Sequence, residues 1–298
     1  MRSPADAAAP GPTAAPGPAA AAPGVAAAAP AGPAAFFAGR RAGGGPGLGL
    51  FLNAGDPPLP VLADVVAMLD ERRVDCLELA VPFPDSVTDG PVIRASAGRA
   101  LARGVTADAV LGFVAAVRPR LAHLRIALLA DFHHTVRPAG APEFLRRVHG
   151  CGADGVLVHG APPRWRPRLH ETSAALGLPV VATCYATSPP AVVAQAAREA
   201  TAFVYLVAHY GRSGTAPAPD HAALTATLAG LRARTGAPVA VGFGVRDGRD
   251  VAAVGRLGAD AALVGSAAVS HVAHAQAVGG NPVDGLERFV HQLRAATT

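Results

Sequence analysis

GLGLFLNAGDPPLPVLADVVAMLDERRVDCLELAV, residues 47–81, holds one complete structural unit. Residues 47–54 (GLGLFLNA) are apolar almost throughout, which suits a strand buried on both faces, not one alternating between core and water. In 59–72, Leu59, Leu62, Val65, Val66 and Leu69 recur at the three- and four-residue spacing of one helix face. A second apolar run at 75–81 (DCLELAV) then returns the chain to the sheet. The unit recurs downstream, with strand candidates at 124–130 (LRIALLA), 154–159 (DGVLVH), 179–184 (PVVATC), 202–208 (AFVYLVA), 238–243 (PVAVGF) and 260–264 (DAALV). Helical patterns at 106–117, 142–150, 191–200, 220–234 and 246–257 lie between them, with Thr106 and Asp220 placed as N-caps and glycine after several ends. Eight strands of this kind close an α/β (β/α)8 barrel, and in such a TIM barrel the active site belongs to the strands' C-terminal ends.

Upstream of this repeat the composition changes. From residue 1 to about 35 the chain is almost entirely Ala, Pro and Gly, with Arg2 and Asp6 its only charges. It lacks both periodicity and the large side chains of a core, so residues 1–45 are expected to form a disordered low-complexity tail and 46–298 the barrel domain. Recurring prolines interrupt the apolar stretch a signal peptide needs, and Arg and Ser are too scarce for a transit peptide. No run of about 20 large apolar residues suggests a membrane partner.

All 26 basic residues of the 298 are arginine. Without lysine the chain cannot run Schiff-base aldol chemistry, anchor pyridoxal phosphate or build a Walker-type phosphate loop, since each needs an amine on a flexible stem. The net charge of +5 is dispersed among acids, and Arg164, Arg166 and Arg168 read as a solvated helix start, so no nucleic-acid partner is expected. Cys76, Cys151 and Cys184 stand far apart in apolar runs, which fits reduced thiols in a cytoplasmic protein. His133 and His134 are adjacent on one loop with no spaced third ligand, so no metal is expected. His159, at the end of the fourth strand, is compatible with facing the pocket or with capping the barrel, and stays unassigned.

The stretch LELAVPFPDSVTDGP, residues 77–91, carries the chemistry. Glu78 interrupts an apolar barrel strand, where a carboxylate is costly unless it is paired or used. Asp85 and Asp89 follow on the catalytic side. Pairing of Glu78 with an arginine, and capping by the aspartates, remain open from the residues alone. At the seventh and eighth strand exits, GFGV (242–245) and GSA (265–267) put small residues where backbone N–H groups can approach a phosphate beside a helix start, with Ser266 adding a hydroxyl.

Taken together these pieces resemble the tryptophan synthase alpha chain family, in register from about residue 47 to the C terminus. The 77–91 stretch is similar to the family signature, FLNAGDP (51–57) to its first strand exit with Asp56 at the family's aspartate, and YLVAHYGRSG (205–214) to its sixth. The resemblance implies a carbon–carbon lyase of tryptophan biosynthesis, a single (β/α)8 barrel that splits indole-3-glycerol phosphate into indole and glyceraldehyde 3-phosphate. It implies Glu78 and Asp89 as the catalytic pair, Gly214, Gly242, Gly244, Gly265 and Ser266 around the phosphate, and Phe51, Asp56 and Tyr205 around the rest of the substrate. No cofactor is implied in this chain; pyridoxal phosphate would sit only in a beta-chain partner of an alpha2beta2 assembly. The sequence departs from the family at Ala80, Pro84 and Ser86, at Asp131 and His133 in the partner-facing loop, and in the HYGRSG loop. A free-standing paralogue releasing indole, or a non-catalytic regulatory subunit binding a phosphorylated ligand, are the alternatives these departures keep open.

Overall fold

The computed structural model describes residues 36–37, 45–208, 221–242 and 244–295. Eight parallel strands form the centre: β1 Gly47–Asn53, β2 Cys76–Ala80, β3 Arg125–Asp131, β4 Gly155–His159, β5 Val181–Tyr185, β6 Phe203–Val207, β7 Val239–Gly242 and β8 Ala261–Val264. Each lies within two residues of its predicted run, because a strand covered on both faces has no polar positions to blur its ends. Hydrogen-bonded neighbours run in the order β4-β3-β2-β1-β8-β7-β6-β5. A single parallel bridge from Val156 to Val180 joins β4 to β5 and closes the circle.

Between the strands lie α1 Leu59–Glu71, α2 Pro91–Ala102, α3 Ala107–Val117, α4 Ala141–Gly150, α5 Arg166–Leu176, α6 Pro190–Glu199, α7 His221–Arg232, α8 Gly248–Arg256, α9 Ser266–Ala277 and α10 Pro282–Ala295. Six of them, α1, α2, α4, α5, α6 and α10, carry proline in the first turn, where the missing N–H costs no bond and the fixed φ suits the helix. Thr106 accepts the Ala109 N–H at 3.2 Å as the N-cap of α3, as predicted, whereas α8 is capped by Asp247 and begins two residues after its predicted start. Asp220, the other predicted cap, lies outside the described residues. No single described helix is long and apolar enough to cross a membrane.

Alternate residues on each strand point to two cores. Leu77 and Leu79 pack outward under the helices, and Cys76 packs inward with Ala127, Leu157, Phe203 and Leu263. A β-carbon on Gly49 would overlap a Leu263 methyl, so this glycine makes room for the leucine inside the barrel. Phe36 and Phe37, ahead of residue 45, are buried in that inner core and stand 5.4 and 5.3 Å from the Phe203 ring. The three cysteines are free.

Three buried aspartates clip strand starts at the N-terminal end. Asp75, Asp154 and Asp260 immediately precede β2, β4 and β8, and they accept the N–H groups of Leu48 (2.8 Å), Ile126 (2.9 Å) and Val239 (2.6 Å) on the adjoining strands. Arg118 and Arg125 pair with Asp154, and Arg232 with Asp260. The three aspartates at this end are thus paired internally, and the barrel's chemistry belongs to the opposite end.

Candidate active site

Inward alternation along β2 carries Cys76, then Glu78, then Ala80 towards the C-terminal mouth. Glu78 lies in register with Phe51 on β1 and Ala127 on β3. It is 2% exposed and its Oε1 has no hydrogen-bond partner among the described residues. Burial, and next the charge of Asp89, push its carboxyl up from an ordinary 4.5 to about 8. An arginine partner, the structural reading left open by the sequence, is not found among the described residues.

Asp89 ends the loop of residues 81–90 between β2 and α2. Its N–H donates to Ser86 Oγ at 3.2 Å, and Asp85, earlier in the loop, takes the left-handed conformation at φ +57° that aspartate tolerates. Burial raises the Asp89 carboxyl, opposed by the Ser86 hydrogen bond and the charges of His159 and Arg94. A cavity of about 540 Å³ opens here, lined by Phe51, Asn53, Ala80, Asp89, Arg94 and His159 among others. Two neighbouring carboxyls, both raised, give one group suited to holding a proton and a second in reach of stabilising cations.

Tyr205 points into the barrel from β6. Burial, then the charges of Glu78, Asp89 and Tyr185, lift its phenol well above the usual range. Its hydroxyl occupies the space beside Gly242, where a β-carbon would stand 2.5 Å away, so this glycine is needed to admit the ring. Gly244 takes φ +88°, a conformation that favours glycine. Gly265 is different: among the described residues a β-carbon there would meet only Ile93 and Phe51, both at 3.9 Å. It immediately precedes Ser266 and α9, whose first turn has no side-chain cap. Exposed N–H groups and the helix dipole make this end receptive to an anion. Gly214 and Phe243 lie outside the described residues, as does His209 of the sixth exit.

Asp56 is not brought to the cavity. Its buried carboxylate pairs with Arg99 at 2.6 Å and Arg103 at 3.2 Å, and accepts from Gln276 at 3.3 Å. Burial opposes its charge, but the hydrogen bonds and charge of Arg99 and the Gln276 contact prevail and hold the carboxyl below its usual value. Asp131 is a local cap: it accepts the N–H groups of His133 and His134, and lies 2.8 Å from His134 Nδ1. His133 is exposed against Phe132. Of the cavity residues, sequence reasoning passed over Asn53, whose Nδ2 donates to Ile93 O at 3.2 Å, and Arg94. A lone polar residue ending an apolar strand was the available sign for Asn53; Arg94 had none until α2 was placed.

Comparison with known proteins gives a consistent result. Residues 37–298 match the family model of the tryptophan synthase alpha chain. A tryptophan synthase alpha chain from Gloeobacter violaceus is 38% identical over 248 residues, covering 83% of this chain and 88% of that one. One from Synechocystis is 36% identical over 249 residues, covering 83% and 91%. The solved structure of Mycobacterium tuberculosis tryptophan synthase superposes with a TM-score of 0.77 at 25% identity, covering 88% of this chain and 96% of that one.

Proposed function

Because the chain belongs to the tryptophan synthase alpha chain family, we propose an assignment of its residues to that family's reaction. The protein is a carbon–carbon lyase that cleaves indole-3-glycerol phosphate to indole and glyceraldehyde 3-phosphate. Glu78 enters as the acid and delivers its proton to the ring carbon that bears the glycerol chain. The resulting carboxylate removes the proton from the hydroxyl on the attached carbon. The carbon–carbon bond breaks, its electron pair returns to the ring, that carbon becomes the aldehyde, and Glu78 is again protonated. Asp89, ionised, accepts the indole N–H as positive charge develops on the ring, an interaction stronger in the transition state than in the ground state.

One observation carries this reading: a buried carboxyl lifted to about 8, with no hydrogen-bond partner at Oε1 among the described residues, lies close enough to feel the charge of Asp89, which lines an open cavity. Phe51 and Tyr205 flank the ring. The turns at Gly242, Gly244 and Gly265, with Ser266 at the start of α9, take the phosphate, and Gly214 is assigned to the same group by resemblance. Each step rests on side chains of this chain, which has no lysine to anchor pyridoxal phosphate. That cofactor belongs to a beta chain, with which we read the protein as forming a two-chain enzyme. The three free cysteines favour a reducing, cytoplasmic setting.

Indole release from indole-3-glycerol phosphate, measured with and without a tryptophan synthase beta chain, tests this function. The barrel alone should release indole, and the beta chain should accelerate it by completing loop closure. A flat response to the beta chain would mark a free-standing lyase, and no indole under either condition would leave a non-catalytic binding subunit.

A further inference from the structure

His159 ends β4 on the wall of the catalytic cavity, beside Asp89. Its Nε2 lies 3.4 Å from Thr88 Oγ1. Thr88 Oγ1 is 3.5 Å from Ser86 Oγ, which accepts the Asp89 N–H at 3.2 Å. A line of polar contacts therefore runs from the barrel rim to the backbone of Asp89. The same imidazole makes a second tie. Phe83 lies between His159 and His134, with ring centroids 6.4 and 5.7 Å away and planes inclined by 28° and 26°. Phe83 stands near the start of the β2–α2 loop and Thr88 near its end, so one side chain engages both.

Val81, Pro82, Ser86 and Gly90 of this loop are buried, but its middle is open. Pro84 and Asp85 are exposed, and Val87 is 79% exposed. Segments with few buried contacts open locally at low cost, whereas a group that must meet a ring N–H needs a fixed position. His134, the other stacking partner, is itself fixed by Asp131 at 2.8 Å, which gives the stack a rigid far side.

We propose that His159 is a positioning residue of the lyase reaction: its imidazole pins both ends of the β2–α2 loop and thereby sets the Asp89 carboxylate over the substrate. The inference rests on the assignment of Asp89 as acceptor of the ring N–H.

Steady-state kinetics of indole release test it. His159→Ala should lower kcat on the order of 10- to 100-fold, the scale of a misplaced catalytic group, with KM changed far less. His159→Gln, whose amide can still reach the Thr88 hydroxyl but cannot stack on Phe83, should recover part of the loss. Thr88→Val should reproduce part of the deficit, and the double variant His159→Ala/Thr88→Val should be no slower than His159→Ala, which already lacks that contact. A wild-type kcat in His159→Ala, equal deficits in the Ala and Gln variants, or additive losses in the double variant would overturn the role. Should His159→Ala not fold, Thr88→Val against Thr88→Ser decides: a slow valine variant beside a serine variant near wild type supports the clamp, and equal rates refute it. Glu78→Gln assayed in parallel separates the two readings. An active Glu78→Gln refutes the site assignment itself, while an inactive one beside a wild-type His159→Ala refutes only the positioning role.

Discussion

Glu78 shows how a single buried carboxyl couples chemistry to stability. Its folded value of about 8 exceeds the ordinary 4.5, so between those values the folded chain keeps a proton that the unfolded chain releases. The associated stability is fully present below 4.5 and is lost as pH rises through about 8. Substrate binding can be probed at the other side of the mouth. Gly242 and Gly244 are constrained by the Tyr205 ring and by positive φ, so changing either confounds binding with folding. Gly265 has neither constraint, and Gly265→Val should raise KM for the phosphorylated substrate strongly while leaving the melting temperature within a few degrees; an unchanged KM would place the phosphate elsewhere. Glu78 was legible in the sequence because a charge in an apolar strand breaks the local pattern. The pairing of Asp56 was not legible for the converse reason: its partners Arg99, Arg103 and Gln276 lie 43, 47 and 220 residues away and leave no local mark.

Among the secondary elements, the strands were readable and the helices less so. Being covered on both faces, each strand is a short apolar run that periodicity detects directly. The α2 helix, which carries the cavity residue Arg94, buries Ile93, Ser96, Ala97 and Ala100, mostly small residues that write no apolar stripe. The aspartate clips were equally hidden, since an aspartate before a strand reads as an ordinary turn residue. Their contribution is measurable by urea unfolding. Asp154→Ala removes the acceptor for the Ile126 N–H and leaves Arg118 and Arg125 without their buried partner, so it should cost about 3 kcal/mol or more. Its position at the end opposite the site predicts that kcat of the folded protein stays near wild type; a fall in kcat without loss of stability would contradict this division of the barrel.

For the whole molecule, two features complete the barrel beyond its strand count. The first is the β4–β5 seam, joined by one bridge where other neighbours share at least three register pairs. The second is the inner core, into which Phe36 and Phe37 pack from ahead of the expected start of the domain. The sequence placed the boundary at a change of composition, and two phenylalanines at the edge of an Ala, Pro and Gly stretch were too few to show any periodicity. Phe36→Ala should cost about 3 kcal/mol, the usual loss for a fully buried ring, whereas deleting residues 1–35 should leave stability and lyase activity nearly unchanged. A large fall in melting temperature on that deletion would show that the segment packs on the barrel.

The central claim, that this chain is an indole-3-glycerol-phosphate lyase whose proton shuttle is Glu78, meets its most direct test in kcat/KM for indole release across pH, wild type beside Glu78→Gln. The wild type should lose its rate as pH rises through about 8, where the shuttle ionises in the free enzyme, and again at acid pH, where Asp89 takes up a proton. The glutamine variant should lie roughly 10²- to 10⁴-fold lower with no alkaline limb. A glutamine variant within a few-fold of wild type, showing the same alkaline decline, would contradict the account.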